Sequence, residues 1–143
     1  MLRQRLLHPG ILAELAAAGH GSMILISDGN FAHSTGPSRA ARHVYLNLAP
    51  DVLTVTDILE VVLEVIPLES AALMVPDEPP DAPEPVAHAA LIATLPEGIP
   101  IARIGRMAFY ELTRSDDLAL VIASGDTQFY ANVLLTIGAI KPG

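Results

Sequence analysis

GHGSMILISDGNFAHSTG, residues 19–36, holds one short apolar run between two glycine-marked corners. The run MILIS (23–27) is aliphatic at odd and even positions alike, the pattern of a strand buried on both faces. Such a strand needs a covering layer above and below, and the rest of the chain supplies them. Upstream, Pro9 suits the first turn of a helix reaching about Ala18, with Gly19 as its stop. Downstream, residues 29–37 read as loop and HVYLNL (43–48) as a second strand. Thr54 and Asp57 stand at capping-box spacing, with Asp in place of the usual Glu, and open a helix over 55–66. SAALMV (70–75) is another buried strand, and PDEPPDAPEP (76–85) is a surface loop. A helix near 84–95, a short strand PIARI (100–104), a helix RMAFYELTR (106–114) and a strand LALVIAS (118–124) follow. After a turn at Gly125–Asp126, FYANVLLTIG (129–138) reads as the final strand. Strands alternating with helices predict one α/β domain, with a mostly parallel or mixed sheet and helices on both faces.

Composition narrows the function. The chain has 143 residues, 51% of them hydrophobic and only 17% charged. That leaves apolar surface to bury against another copy, so a homo-oligomer is expected. A net charge of -8, with 8 Lys and Arg in all, argues against nucleic acid, which needs clustered cations. Without cysteine there are no disulfides, thiolate zinc sites or cysteine nucleophiles, and the cytoplasm is the expected compartment. The opening MLRQRLLHPGILAELAAAG has the outline of a signal peptide, but Pro9 and Glu14 interrupt it and it reads better as an amphipathic helix. No apolar stretch approaches the ~20 residues of a membrane span.

Several side chains are candidates for chemistry. His20 lies between two glycines at a helix-to-strand junction, and an imidazole titrates where acid–base work at neutral pH needs it. The plainer alternative is a capping glycine beside a surface histidine. Asp28 follows the first strand directly, at the end where α/β sheets place ligand-binding groups; the alternative is a turn formed with Gly29. An extended run would separate the backbones of His20 and Asp28 by roughly 20 Å or more. They can share a site only if the glycine corners fold inward, or if adjacent subunits contribute one each. His33, His43 and His88 lack the paired spacing of a zinc site, and no metal is expected. Tyr130 and Asn132, two apart in the expected last strand, would project on one face as hydrogen-bonding groups suited to sugar hydroxyls. Arg103 reads as a solvated charge, whereas Arg106 precedes MAFY, which looks like core.

Together these segments resemble the D-ribose pyranase / L-fucose mutarotase family, the RbsD/FucU type. HPGILAELAAAGHGSMILISDGNFAHSTGP, VTDILEVVLEVIPLE, RIGRMAFYE and SGDTQFYANVLLTIG carry the match in the family's order and span nearly the whole chain. FAHSTGP and RMAFYE look like the fucose branch; the ribose branch typically has a histidine near Arg106. The resemblance implies a cofactor-independent isomerase that interconverts sugar anomers. His20 would be its acid/base residue, and Asp28, Arg106 and the run Tyr130–Ala131–Asn132 would contact the monosaccharide. It also implies a ring-shaped homo-oligomer, often a decamer, with sites near subunit contacts. The chain departs from the family at Ser22, where an acidic residue is usual, and at Gly29–Asn30, where the fucose branch commonly has Ala–His. These departures bear on which sugar is bound, and they keep a non-catalytic sugar-binding or regulatory role as the alternative.

Overall fold

A computed structural model describes residues 1–143. Its elements, in chain order, are α1 (Pro9–Ala17), β1 (Met23–Ser27), β2 (Arg42–Tyr45), α2 (Val55–Leu63), β3 (Leu68–Val75), α3 (His88–Thr94), β4 (Ile101–Gly105), α4 (Arg106–Thr113), β5 (Leu118–Ala123) and β6 (Val133–Ile137). The six strands form one mixed sheet in the order β2-β5-β1-β6-β3-β4. β2, β5 and β1 pair in parallel, as do β3 and β4, while β6 runs antiparallel to both β1 and β3. Five strands therefore end at one edge of the sheet, and β6 begins there.

Burial on both faces explains the aliphatic run in β1. Ile24 and Ile26 pack into a core with Ile11 of α1, Leu59 of α2 and Leu91 of α3, whereas Leu25 faces Phe109 of α4. All seven side chains are at most 1% exposed, and their burial is the main stabilising term of the fold. The Thr54–Asp57 capping box forms as expected, with Asp57 N donating to Thr54 Oγ1 at 3.2 Å and Thr54 N to Asp57 Oδ2 at 2.9 Å. No helix is long and apolar enough to cross a membrane.

Element ends differ from the sequence expectation for local reasons. α1 does not stop on a left-handed Gly19: its cap Ala18 is extended, and the positive φ, 87°, falls on Gly21 within the following turn. α3 starts at His88 rather than near 84, because Pro85 disfavours helical backbone at Glu84. The stretch 129–132 is a turn and its exit rather than strand, with Tyr130 at φ 61°, so β6 starts only at Val133. The period-two argument for Tyr130 and Asn132 therefore does not apply.

Candidate functional site

The sheet edge where the five parallel strands end holds a polar cluster. Ile26 of β1 stands opposite Val133 of β6, and that register sets Asp28, just past β1, beside Asn132, just before β6. The two lock reciprocally: Asp28 N donates to Asn132 Oδ1 at 2.8 Å, and Asn132 Nδ2 donates to Asp28 Oδ2 at 3.0 Å. Asn30 N donates to Asp28 Oδ1 at 2.9 Å, which closes an Asx turn. Both side chains are buried. Burial pushes the Asp28 carboxyl above its ordinary 3.8; the bonds from Asn30, Asn132 and Phe31 oppose that shift, and nearby Asp126 adds to it. Each carboxylate oxygen keeps acceptor capacity beyond these bonds, so Asp28 can also take a hydroxyl proton donor.

β4 passes into α4 without a loop, which brings Arg106 to the same edge. Its guanidinium lies 5.8 Å from the ring centroid of Tyr110, one helical turn on. Tyr110 stacks on Phe31 (centroids 4.6 Å apart, planes at 17°) and accepts from Ala32 N at 3.2 Å. A cavity of about 210 Å³ opens between these groups. Asp28, Asn30, Arg106, Tyr130 and Asn132 give it a polar side; Phe31, Met74, Tyr110 and Phe129 give it apolar and aromatic walls. A left-handed backbone is uncommon for a residue with a Cβ, and at Tyr130 it turns the chain so that phenol and amide reach one cavity. Ala131 packs into the helix-side core instead.

His20 is elsewhere. The Gly19–Ser22 turn is pinned to the far end of β6, with Gly21 N donating to Ile137 O and Ile137 N donating to Ser22 O, each at 2.9 Å. The His20 side chain is 59% exposed and its Nε2 lies 3.0 Å from Glu69 Oε1. All of β1 separates it from Asp28, so the glycine corners do not fold inward. Within one chain the structure brings together Asp28, Arg106, Tyr130 and Asn132, and it leaves His20 at the opposite edge.

The other histidines go to three separate places. His33 meets Ser27 Oγ at 2.9 Å, and burial lowers its pKa, helped by the neighbouring His43. His43 Nδ1 donates to Ala41 O at 2.9 Å. His88 is fully buried between Glu84 Oε1 (2.9 Å) and Met74 O (3.0 Å). No group of three or more His, Cys, Asp or Glu side chains could hold a metal ion. Sequence reading missed Phe31, Met74, Tyr110 and Phe129. Only Tyr110 carried a signal, its i+4 spacing from Arg106.

The chain matches the RbsD / FucU transport protein family over residues 1–140. Three solved structures are similar over nearly their whole length. RbsD of Bacillus subtilis complexed with D-ribose superposes with TM-score 0.82 at 22% identity, covering 99% of this chain and 100% of that one. FucU of Bifidobacterium longum gives 0.75 at 30% identity, covering 93% and 94%. The fucose mutarotase of Streptococcus pneumoniae in complex with L-fucose gives 0.75 at 21% identity, also covering 93% and 94%. The match over residues 1–140 and the shared fold agree: the chain belongs to the RbsD / FucU family.

Proposed function

We propose that the protein is a cofactor-independent monosaccharide mutarotase that interconverts the α and β pyranose anomers of an aldose, with L-fucose or a close relative as substrate. We further propose that it works as a ring-shaped homo-oligomer, a decamer, in which His20 of one subunit completes the cavity of the next. One observation carries the reading: Asp28, Arg106 and the Tyr130/Asn132 pair, from three distant segments of the chain, converge on one cavity that has a polar side and an aromatic side. Sugars present the same division, hydroxyls at the edge and C–H groups on the ring face. The apolar wall of Phe31, Met74 and Phe129 suits a sugar with a methyl group, as fucose has. Support also comes from the relatives that hold D-ribose and L-fucose.

The reaction needs only placed proton donors and acceptors. A base takes the proton of the anomeric hydroxyl, the C1–O5 bond breaks as C1=O1 forms, and O5 receives a proton. The aldehyde rotates, and O5 closes on its other face with the protons returned. His20 suits the proton transfers. Asp28 and Asn132 hold hydroxyls, and Arg106 stabilises developing negative charge on oxygen. The test is saturation-transfer NMR between anomeric protons over a panel of reducing sugars. Exchange above the spontaneous rate is expected, largest for L-fucose and unchanged by chelator; the spontaneous rate for every sugar overturns the reading.

Sugar affinity should also depend on pH through Asp28. Ionised Asp28 accepts a sugar hydroxyl, and its folded value is raised above 3.8. Affinity is therefore full above that raised value and is lost as pH falls through it, a loss that begins above the ordinary aspartate range. The stability contribution has the opposite sign: the ionised group is penalised in the fold, and the penalty lifts as pH falls through the raised value. A dissociation constant that stays flat down to pH 3.8 contradicts this role for Asp28.

A non-catalytic sugar-binding role is the second reading, favoured by the absence of His20 from the cavity of a single chain. The same exchange experiment separates the two, since a binder shifts sugar resonances without transferring saturation.

A further inference from the structure

We propose that Glu69 is a positioning residue for His20, fixing its ring so that Nδ1 is the nitrogen presented to substrate. The inference rests on the mutarotase reading for its catalytic meaning, but its geometry stands without it. β3 pairs Leu68 with Ile137 and Ser70 with Thr136 of β6, so two residues on β3 span one on β6. Glu69 is the extra residue of this β-bulge, a device that re-aims a side chain. The His20 turn is tied to the same place, since Gly21 N and Ser22 O both bond Ile137, the partner of Leu68. Gly138 N in turn donates to Pro67 O at 2.8 Å, holding the chain just before the bulge. Turn and bulge are thus fixed to one backbone anchor, and their side chains meet at 3.0 Å.

The chemistry follows from donor and acceptor roles. An ionised carboxylate only accepts, so the Nε2 that faces Glu69 carries a hydrogen. In the neutral ring the remaining lone pair is then on Nδ1, and that atom takes up the sugar's hydroxyl proton. When the ring becomes cationic during the transfer, the carboxylate stabilises it, as the third member of a catalytic triad stabilises its histidine. The turn offers no carboxylate of its own: Ser22 stands next to the GHG corner, and its Oγ accepts from Gly19 N at 3.3 Å.

Two measurements on the intact assembly test this. Relaxation of the His20 ring carbons should show an ordered ring in the wild type and a freed one in Glu69→Ala, with Glu69→Gln intermediate. Exchange kinetics should show Glu69→Ala slowing the bound reaction about 10–100-fold, as expected for loss of a charge-assisted hydrogen bond, with sugar affinity unchanged. Glu69→Gln should recover part of that rate. In a His20→Ala background the Glu69→Ala change should add no further loss, because the two act as a unit. Equal ring order in Glu69→Ala and wild type overturns the proposal, and so does a slower reaction that persists without His20. If the wild type catalyses no exchange, the mutarotase reading falls while the ring measurement still decides whether Glu69 orders His20.

Discussion

Replacing His20 by alanine is expected to slow anomer exchange on the order of 10²–10⁴-fold, the usual worth of a placed general acid–base, while the protein stays folded and assembled. The structure separates these two outcomes. His20 is 59% exposed in the single chain, and its one side-chain partner is Glu69, itself 51% exposed. An exposed pair of that kind is worth about 0–1 kcal/mol, so truncation should barely move the thermal midpoint. The ring stands in a glycine-flanked turn held by backbone bonds to Ile137. The measurement is exchange rate against sugar concentration, with melting and light scattering as controls. Near-normal exchange in His20→Ala would move the proton transfer to Asp28 or Tyr130. Loss of assembly would make His20 a structural residue of the subunit contact.

How much of this could be read before the fold was known depended on how local each signal was. The layered α/β architecture was legible because its causes are local: doubly buried aliphatic strands, a capping box at Thr54 and Asp57, and glycine and proline at the corners. Asp28 was legible for the same reason, as the residue directly after a buried strand. The lone antiparallel β6 was not legible, because strand direction is set by pairing partners far away in sequence. The turn at 129–132 was misread as strand because tyrosine and phenylalanine favour strands. The competing term is non-local: the Asn132 amide is committed to the backbone and side chain of Asp28, 104 residues away. The aromatic wall was hidden similarly. Phe31 and Phe129 are unremarkable in loops until the sheet order sets both beside α4. Arg106, awkward beside an apparent core segment, is explained by the helix it begins: Phe109 points into the core, and Tyr110 turns back toward the guanidinium.

Two impaired variants should restore each other's activity when they share an assembly. His20 and Asp28 lie at opposite ends of β1, and both ends are fixed by backbone bonding, His20's turn to Ile137 and Asp28 to Asn132. No loop motion within one chain can join them without dismantling the sheet, so a site that uses both must draw them from different subunits. The surface is suited to such contacts: Val65 and Ile140 are exposed beside His20, and Phe129 is 73% exposed at the mouth of the Asp28 cavity. His20→Ala alone should lack the acid–base group at every site, and Asp28→Asn alone should lack the carboxylate at every site. Co-expressed in equal amounts, the two chains should mix at random around the proposed ring. At about a quarter of sites, a neighbour carrying intact His20 will then meet a chain carrying intact Asp28. At sub-saturating sugar, exchange should recover to roughly that fraction of the wild-type rate, above either variant alone. His20→Ala alone is expected down on the order of 10²-fold or more for loss of the acid–base group. Asp28→Asn alone is expected down roughly 10–100-fold for loss of a charge-assisted hydrogen bond to the sugar. Sites contained in single chains predict no recovery at any mixing ratio. Light scattering on the same samples ties the outcome to assembly: recovery requires mixed particles larger than one chain, and recovery in a monomeric fraction would contradict the shared site.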